Sequence, residues 1–247
     1  MIDVIRVQLP EQVKRFPMFT VDDQLRFLQT SADMEGKSLT EQQQILDEVL
    51  DILYPSYSKT EQEYIFTKVY CVSFGKSAIK ISIKNGSSSS EAFMHITDYE
   101  LQNEYKVDEQ ITLGFRFPKT RKVDETMFLE CISYIVHNGT RYDWAALSDE
   151  THESVGELVD MEDIENIVTM LTKSCEIKIK QDSFSNLLTL FKILFTKNEM
   201  IDFFKTNYLL NKHKIDIGTI SKVSPMERSV YVSMLAEDLK RQENAKS

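Results

Sequence analysis

Helix-start patterns cluster near both ends of this chain, and their distribution constrains the fold more than any other sequence feature. In each pattern a serine or threonine is followed three residues later by a side chain that can return a hydrogen bond, just ahead of an apolar run. The pairs are Thr20 with Asp23, Thr40 with Gln43, Thr60 with Glu63, Thr196 with Glu199, and Ser224 with Glu227. They predict three successive helices near the N-terminus and two near the C-terminus.

The segments between these helices are patterned differently. Apolar and polar residues alternate there as in half-buried strands, and Asn138-Gly139 is typical of a type I′ hairpin turn. Asn85-Gly86 and the four serines that follow predict a loop or hairpin tip, with 93–96 as the partner of the strand at 78–83, and Gly75 is predicted to end the third helix. The predicted strands are 5–9, 78–83, 93–96, 111–117, 132–137, 140–144 and 175–179.

Two further helices are predicted at 161–171 and 184–195, with Ser183 starting the second. The segment from Phe195 to Lys240 is predicted to run helix, turn, short strand, helix. We therefore predict an α+β fold, in which N- and C-terminal segments form a mainly helical body around a central insert rich in β-hairpins. The predicted divisions are 1–77 for the N-terminal strand and helices, 78–147 for the insert, and 148–247 for a C-terminal helical part that packs with the N-terminal helices.

The composition argues against several classes of function. The 247 residues carry a formal net charge of −10, which opposes general binding to nucleic acid or anionic membranes. No apolar run is long enough to span a membrane, and no secretion pattern is evident, so we expect a cytosolic protein. The three cysteines and four histidines lack metal-ligand or nucleophile spacing. We predict no metal, no cofactor and no catalytic residue.

The acidic residues are unevenly distributed along the chain. A calcium-binding loop counted from Asp149 would need glycine at the position of Ser154, which disfavours that interpretation. A solvated acidic segment at a helix start and a docking surface for a basic partner both remain open. Nine acids and no lysine or arginine lie between Tyr142 and Thr172: Asp143, Asp149, Glu150, Glu153, Glu157, Asp160, Glu162, Asp163 and Glu165.

Two longer stretches carry a family resemblance. The first runs LPEQVKRFPMFTVDDQLRFL, continues through the second predicted helix, and ends with YSKTEQEYIFTKVYCVSFGKSAIKISI. The second is FFKTNYLLNKHKIDIGTISKVSPMERSVYVSMLAEDLK. With RFPMFT at Arg15–Thr20, SFGK at Ser73–Lys76 and the SPMER helix start, the chain resembles the baseplate hub assembly proteins of T4-type contractile-tailed bacteriophages. That family includes a small hub subunit and a longer hub assembly catalyst, and the length of this chain is nearer to the longer protein.

The resemblance implies a non-enzymatic assembly factor that promotes formation of the phage tail baseplate hub in the host cell cytoplasm. Its partners would be hub or tape-measure proteins. Such a factor covers apolar surface on an unfinished partner and later releases it. Because aromatic and methionine side chains often anchor such contacts, we expect partner binding by Phe203, Phe204, Tyr231 and Met234, residues that core packing would explain equally well.

The sequence leaves two alternatives to the assembly factor open. The protein is a structural subunit of the hub that is retained in the virion tail, or it is a hydrolase. The hydrolase would use the acidic run, with Asp149, Glu153 and Glu157 as the first residues to replace.

Overall fold

The structure is a computed structural model, and it describes residues 4–10, 12–76, 78–85, 88–95, 102–117, 127–174, 177–178, 183–184 and 187–245. The strands are β1 (Val4–Gln8), β2 (Val13–Pro17), β3 (Ala78–Asn85), β4 (Ser88–His95), β5 (Glu104–Lys106), β6 (Ile111–Phe115), β7 (Ile132–His137), β8 (Thr140–Asp143), β9 (Ile177–Lys178) and β10 (Ser183–Phe184). The helices are α1 (Val21–Asp33), α2 (Leu39–Leu53), α3 (Lys59–Phe74), α4 (Met127–Cys131), α5 (Asp149–Leu158), α6 (Met161–Ser174), α7 (Leu187–Leu194), α8 (Lys197–Lys212), α9 (Ile217–Ile220) and α10 (Pro225–Asn244). The predicted α+β class, mainly helical, is confirmed.

Hydrogen bonds at the helix starts explain where the N-terminal helices begin. Thr20 caps α1 as predicted. The predicted caps Thr40 and Thr60 are wrong, because Ser38 and Ser58 cap α2 and α3 two residues earlier. Each serine hydroxyl accepts a hydrogen bond from the amide of a glutamate three residues on, and the carboxylate of that glutamate accepts one from the serine amide. This reciprocal pair satisfies two amides that a helix start otherwise leaves open.

The first hydrophobic core joins both ends of the chain. Side chains from β1, β2, α1, α2, α3, α7 and the start of α8 form it, and aromatic rings fill its centre. Phe66 packs against the rings of Phe19, Phe27 and Phe191, at centroid distances of 5.1, 5.3 and 5.9 Å. The predicted body built from both ends of the chain is therefore confirmed. We call β1–β2, α1–α3 and α7–α10 the helical body.

The second hydrophobic core lies under an antiparallel sheet with the strand order β5-β6-β7-β8. Asn138 and Gly139 join β7 to β8 with φ angles of 50° and 77°, the positive values that the predicted type I′ turn requires. Leu113 and Ile135 of the sheet share this core with Ile167 of α6. We call β5–β8 with α4–α6 the sheet module. The domain boundaries after residues 77 and 147 stay a prediction.

A further hairpin pairs β3 with β4, from Ala78 opposite His95 to Asn85 opposite Ser88. The strand predicted at 78–83 is confirmed and extends to Asn85. The predicted pairing of this strand with residues of 93–96 in a hairpin is confirmed, whereas a loop over all four serines is wrong, because backbone hydrogen bonds hold residues 88–90 in β4 whatever their side-chain propensity. Residues 86, 87 and 96 lie outside the described part of the chain.

Three local predictions in the second half of the chain need correction. The helix predicted from residue 184 begins at Leu187, since Ser183 and Phe184 pair with β9. Residues 175, 176 and 179 of the strand predicted there lie outside the described ranges.

The acidic run contains a helix that its pattern did not predict, α5, which Ser148 caps. The short strand predicted between the last two long helices is instead α9, because the Asp216 carboxylate accepts hydrogen bonds from the first amides of a helical turn.

Candidate functional site

Helix α8 has apolar residues on two opposite faces. Phe203 and Leu210 are buried, and Phe203 belongs to the core of the helical body. Ile201, Phe204 and Tyr208 follow one another at spacings of three and four residues on the other face, where they are 45, 54 and 72% exposed. The buried face accounts for the packing of α8, so the exposed stripe is available to a partner.

Helix α10 is buried near its start and exposed along most of its length. Arg228 is the last of its residues to be buried in the described structure. Met226, Val230 and Met234 are about half exposed, and their four-residue spacing places them on one face of the helix. Tyr231, next to this stripe, is 44% exposed. This face of α10 is thus apolar over more than two turns, and at its start the half-exposed Met226 side chain also lies against Gly75 at the end of α3.

Arg228 anchors the start of α10 to the helical body. Its guanidinium donates hydrogen bonds to Gln24 Oε1 at 3.0 Å and to Asn207 Oδ1 at 3.3 Å, and it lies over the ring of Phe203 at 4.6 Å from the centroid. Burial lowers the pKa of Arg228, and the nearby Glu199 carboxylate opposes that shift. The group stays charged because the ordinary pKa of arginine lies far above neutrality. This buried cation fixes the position from which the exposed part of α10 extends.

The turn before α10 completes the start of α1. The backbone carbonyls of Val223 and Ser221 accept hydrogen bonds from the amides of Val21 and Asp22 at 2.9 and 3.0 Å. These amides belong to the first turn of α1, whose amides have no partner within the helix. The segment that carries the α10 stripe is therefore tied to the first helix of the chain through the backbone.

The acidic run forms a second distinctive surface, on α5 and the start of α6. Of its nine acids, all but Asp163 are exposed, and the Asp163 carboxylate accepts a hydrogen bond from the Tyr105 hydroxyl at 2.8 Å. In the described residues, no group of three or more histidine, cysteine, aspartate or glutamate side chains is arranged to hold a metal ion.

A groove of about 570 Å³ lies elsewhere, between α1 and α8, and Leu28 and Met200 are among its lining residues.

Two family models match the chain. A model described as T4 bacteriophage base plate protein matches residues 1–186, and one described as baseplate hub assembly protein Gp51 C-terminal domain matches residues 194–240. The chain belongs to the T4-type baseplate hub assembly family. A search among curated proteins and a search among solved structures each gave no match. Helices of the described part are too short or too polar to cross a membrane.

Membership in the baseplate hub assembly family gives the protein a role in phage baseplate assembly, which requires contacts with other baseplate proteins. The match described as the hub assembly protein C-terminal domain includes all of α8 and most of α10. Both exposed stripes therefore lie within the part of the chain that this second model matches.

The four predicted partner-binding residues of this baseplate family member differ in their exposure to solvent. Phe203 is 3% exposed, so its side chain serves the core, whereas Phe204, Tyr231 and Met234 are exposed. Their binding role stays a prediction. Helical spacing counted outward from Phe204 and Met234 identifies the stripe residues that sequence reasoning missed: Ile201, Tyr208, Met226 and Val230.

Proposed function

We propose that the protein is a non-enzymatic assembly factor that binds an unfinished component of the baseplate hub through the exposed stripes of α8 and α10. One observation carries the proposal, namely the concentration of large exposed apolar side chains in the last two long helices. Exposed apolar groups at this density are typical of protein-binding surfaces. They are Ile201, Phe204, Tyr208, Leu209, Met226, Val230, Tyr231 and Met234.

The chemistry of these stripes suits a contact that forms and is later released. Met226 and Met234 have flexible, polarisable side chains that adapt to irregular apolar surfaces. The stripe of α10 nevertheless has a fixed base, since the hydrogen bonds of Arg228 hold the start of the helix in place. A hub or tape-measure protein with an exposed apolar surface would be covered in the host cell cytoplasm until its own partner displaces the factor.

The proposal is tested by complementing a phage that lacks this gene with the Tyr208→Ser/Met234→Ser double variant. Because both side chains are exposed, the variant should fold normally yet yield roughly tenfold fewer infectious particles, a loss comparable to that of an interface anchor. The matched control is Leu39→Ser/Ile52→Ser, which changes two exposed apolar residues on α2 and should behave as wild type. Equal particle yields from the two double variants would contradict the proposal.

A structural subunit of the hub, retained in the virion, is the second candidate, because the same stripes could equally bury themselves permanently in the tail. The two functions differ in the fate of the protein. Mass spectrometry of purified tails should detect none of it if it is an assembly factor. A fixed number of copies per tail would establish the structural subunit instead.

A further inference from the structure

The negative charge of this protein is concentrated in one region. The chain contains 39 acidic residues against 29 lysines and arginines, and nine of the acids lie between Tyr142 and Thr172 with no basic residue among them. The 30 acids elsewhere nearly balance the 29 bases. Nearly all of the net charge of −10 is therefore carried by α5, by the start of α6 and by the residues that flank them.

The turn between α5 and α6 also exposes two apolar side chains within this charged region. Leu158 is 51% exposed and Met161 is 66% exposed. The core of the sheet module does not use them: α5 contributes Val155, and α6 contributes Ile167 and Leu171. Neither Leu158 nor Met161 packs against this core. Exposed acids precede, separate and follow the apolar pair in sequence: Glu157, Asp160, Glu162 and Glu165.

We propose that this turn is a second docking surface, and that it binds a lysine- or arginine-rich amphipathic segment of another protein. Charge complementarity determines the occupant. A second copy of this chain that used the same turn would bring the same negative charge to the contact, and nucleic acid would be repelled. A basic segment with an apolar face neutralises the acids while covering Leu158 and Met161. The surface is separate from the stripes of α8 and α10, so this inference goes beyond the proposed function.

The charge requirement is tested on the full chain with a fluorescently labelled amphipathic helical peptide of leucine and lysine, by anisotropy. The patch variant Glu157→Lys/Glu162→Lys/Glu165→Lys should bind the peptide roughly tenfold more weakly than wild type. The control Glu35→Lys/Glu48→Lys/Glu109→Lys makes the same change in net charge at exposed acids elsewhere and should lose far less affinity. Equal losses in both variants would show attraction to net charge alone and would overturn the site.

The apolar requirement is tested with Leu158→Ser/Met161→Ser against the control Leu39→Ser/Ile52→Ser. We expect weaker peptide binding in the first variant only, and we expect the difference to persist at high salt, which screens charge but not apolar contact. Unchanged affinity in the first variant would overturn the proposal. The Tyr208→Ser/Met234→Ser variant should bind the peptide as wild type does, so failure of this site and failure of the proposed function are distinguishable.

Discussion

The helical body and the sheet module solve the same packing problem with different parts of the chain. The core of the body combines residues from the first 74 positions with residues from 187 onward, and aromatic rings fill it. The core of the module is assembled within residues 105–171 and is mainly aliphatic. Closing a long loop costs only slightly more than closing a short one, and burial of large rings offsets that cost. The helical body can therefore form from the two ends of the chain even though a segment with its own core lies between them in sequence.

The largest expected change in stability comes from substitutions in the two cores, and it tests whether these cores unfold separately. Phe66→Ala removes a fully buried ring of the body, and Phe115→Ala removes one of the module. Each should cost about 3–5 kcal/mol of unfolding free energy. The chain has one tryptophan, Trp144, which packs against the module core, so its fluorescence reports the module while far-UV circular dichroism reports mainly the helical body.

We expect Phe66→Ala to shift the urea midpoint seen by circular dichroism and Phe115→Ala to shift the midpoint seen by fluorescence. If either variant moves both midpoints together, body and module form one cooperative unit and the comparison fails.

A smaller change in stability is expected from a glycine substitution that tests how tightly the sheet is packed. The Tyr134 ring lies directly over Gly114, where an added methyl group would overlap it, while the Tyr134 hydroxyl donates a hydrogen bond to Glu104 at 2.6 Å. Gly114→Ala should therefore destabilise the module by about 1–3 kcal/mol, measured by Trp144 fluorescence in urea. Gly156→Ala is the matched control in the same module: it meets open space within α5 and should stabilise it slightly. Stability unchanged by Gly114→Ala would show that the ring moves freely.

The attachment of α10 gives the third prediction, for the body. Arg228→Met keeps an unbranched apolar stem but removes the guanidinium and leaves Gln24 without this donor, so the free energy of unfolding should fall by about 1–3 kcal/mol. Hydrogen exchange should accelerate at the start of α10, and Trp144 fluorescence should not change. Arg241→Met, at a side chain 77% exposed, is the control and should have little effect. Equal exchange in both variants would contradict an anchoring role.

The smallest effect is a pH dependence within the body. Hydrogen bonds from Thr219, followed by the amide of Gly218, lower the pKa of Asp216 below its ordinary value. A lowered pKa in the folded state stabilises α9 above the unfolded pKa, and this stabilisation is lost as the pH falls through the folded value. The protection factor of the Thr219 amide, the exchange rate of an unstructured chain divided by that of this amide at the same pH, should therefore decrease at pH values below about 4. Asp216→Asn keeps a cap without titrating, and a pH profile identical to wild type would argue against this cause.

Sequence patterns predicted the fold class because cap chemistry is local, and they misplaced caps where two candidates overlap. Ser38 with Glu41 and Thr40 with Gln43 both satisfy the spacing within a few residues. The reciprocal hydrogen bonds at Ser38 decide between them. Helix α5 escaped prediction because its acids read as a solvated run, although Ser148 offers a cap of its own.

The candidate site could be predicted as a segment but not residue by residue. Phe203 and Phe204 are adjacent in sequence and equally apolar, yet one is buried and the other is half exposed. In α8 the apolar residues surround the helix, so periodicity alone cannot show which stripe faces the core. That choice depends on α1, which packs against α8 and is far away in sequence. The exposed pair Leu158 and Met161 was missed because the sequence does not show which apolar side chains of α5 and α6 face the core of the sheet module.

The hydrogen bonds from Val21 and Asp22 to Val223 and Ser221 set an order of events during synthesis. Donors and acceptors are separated by roughly 200 residues, so at 5–20 residues per second the ribosome makes the acceptors about 10–40 seconds after the donors. Until then the amides of Val21 and Asp22 must bond to water, and a polypeptide that stops before residue 221 never supplies the acceptors. Because the stripe of α10 follows these carbonyls directly, completion of the helical body and presentation of the stripe occur at nearly the same moment.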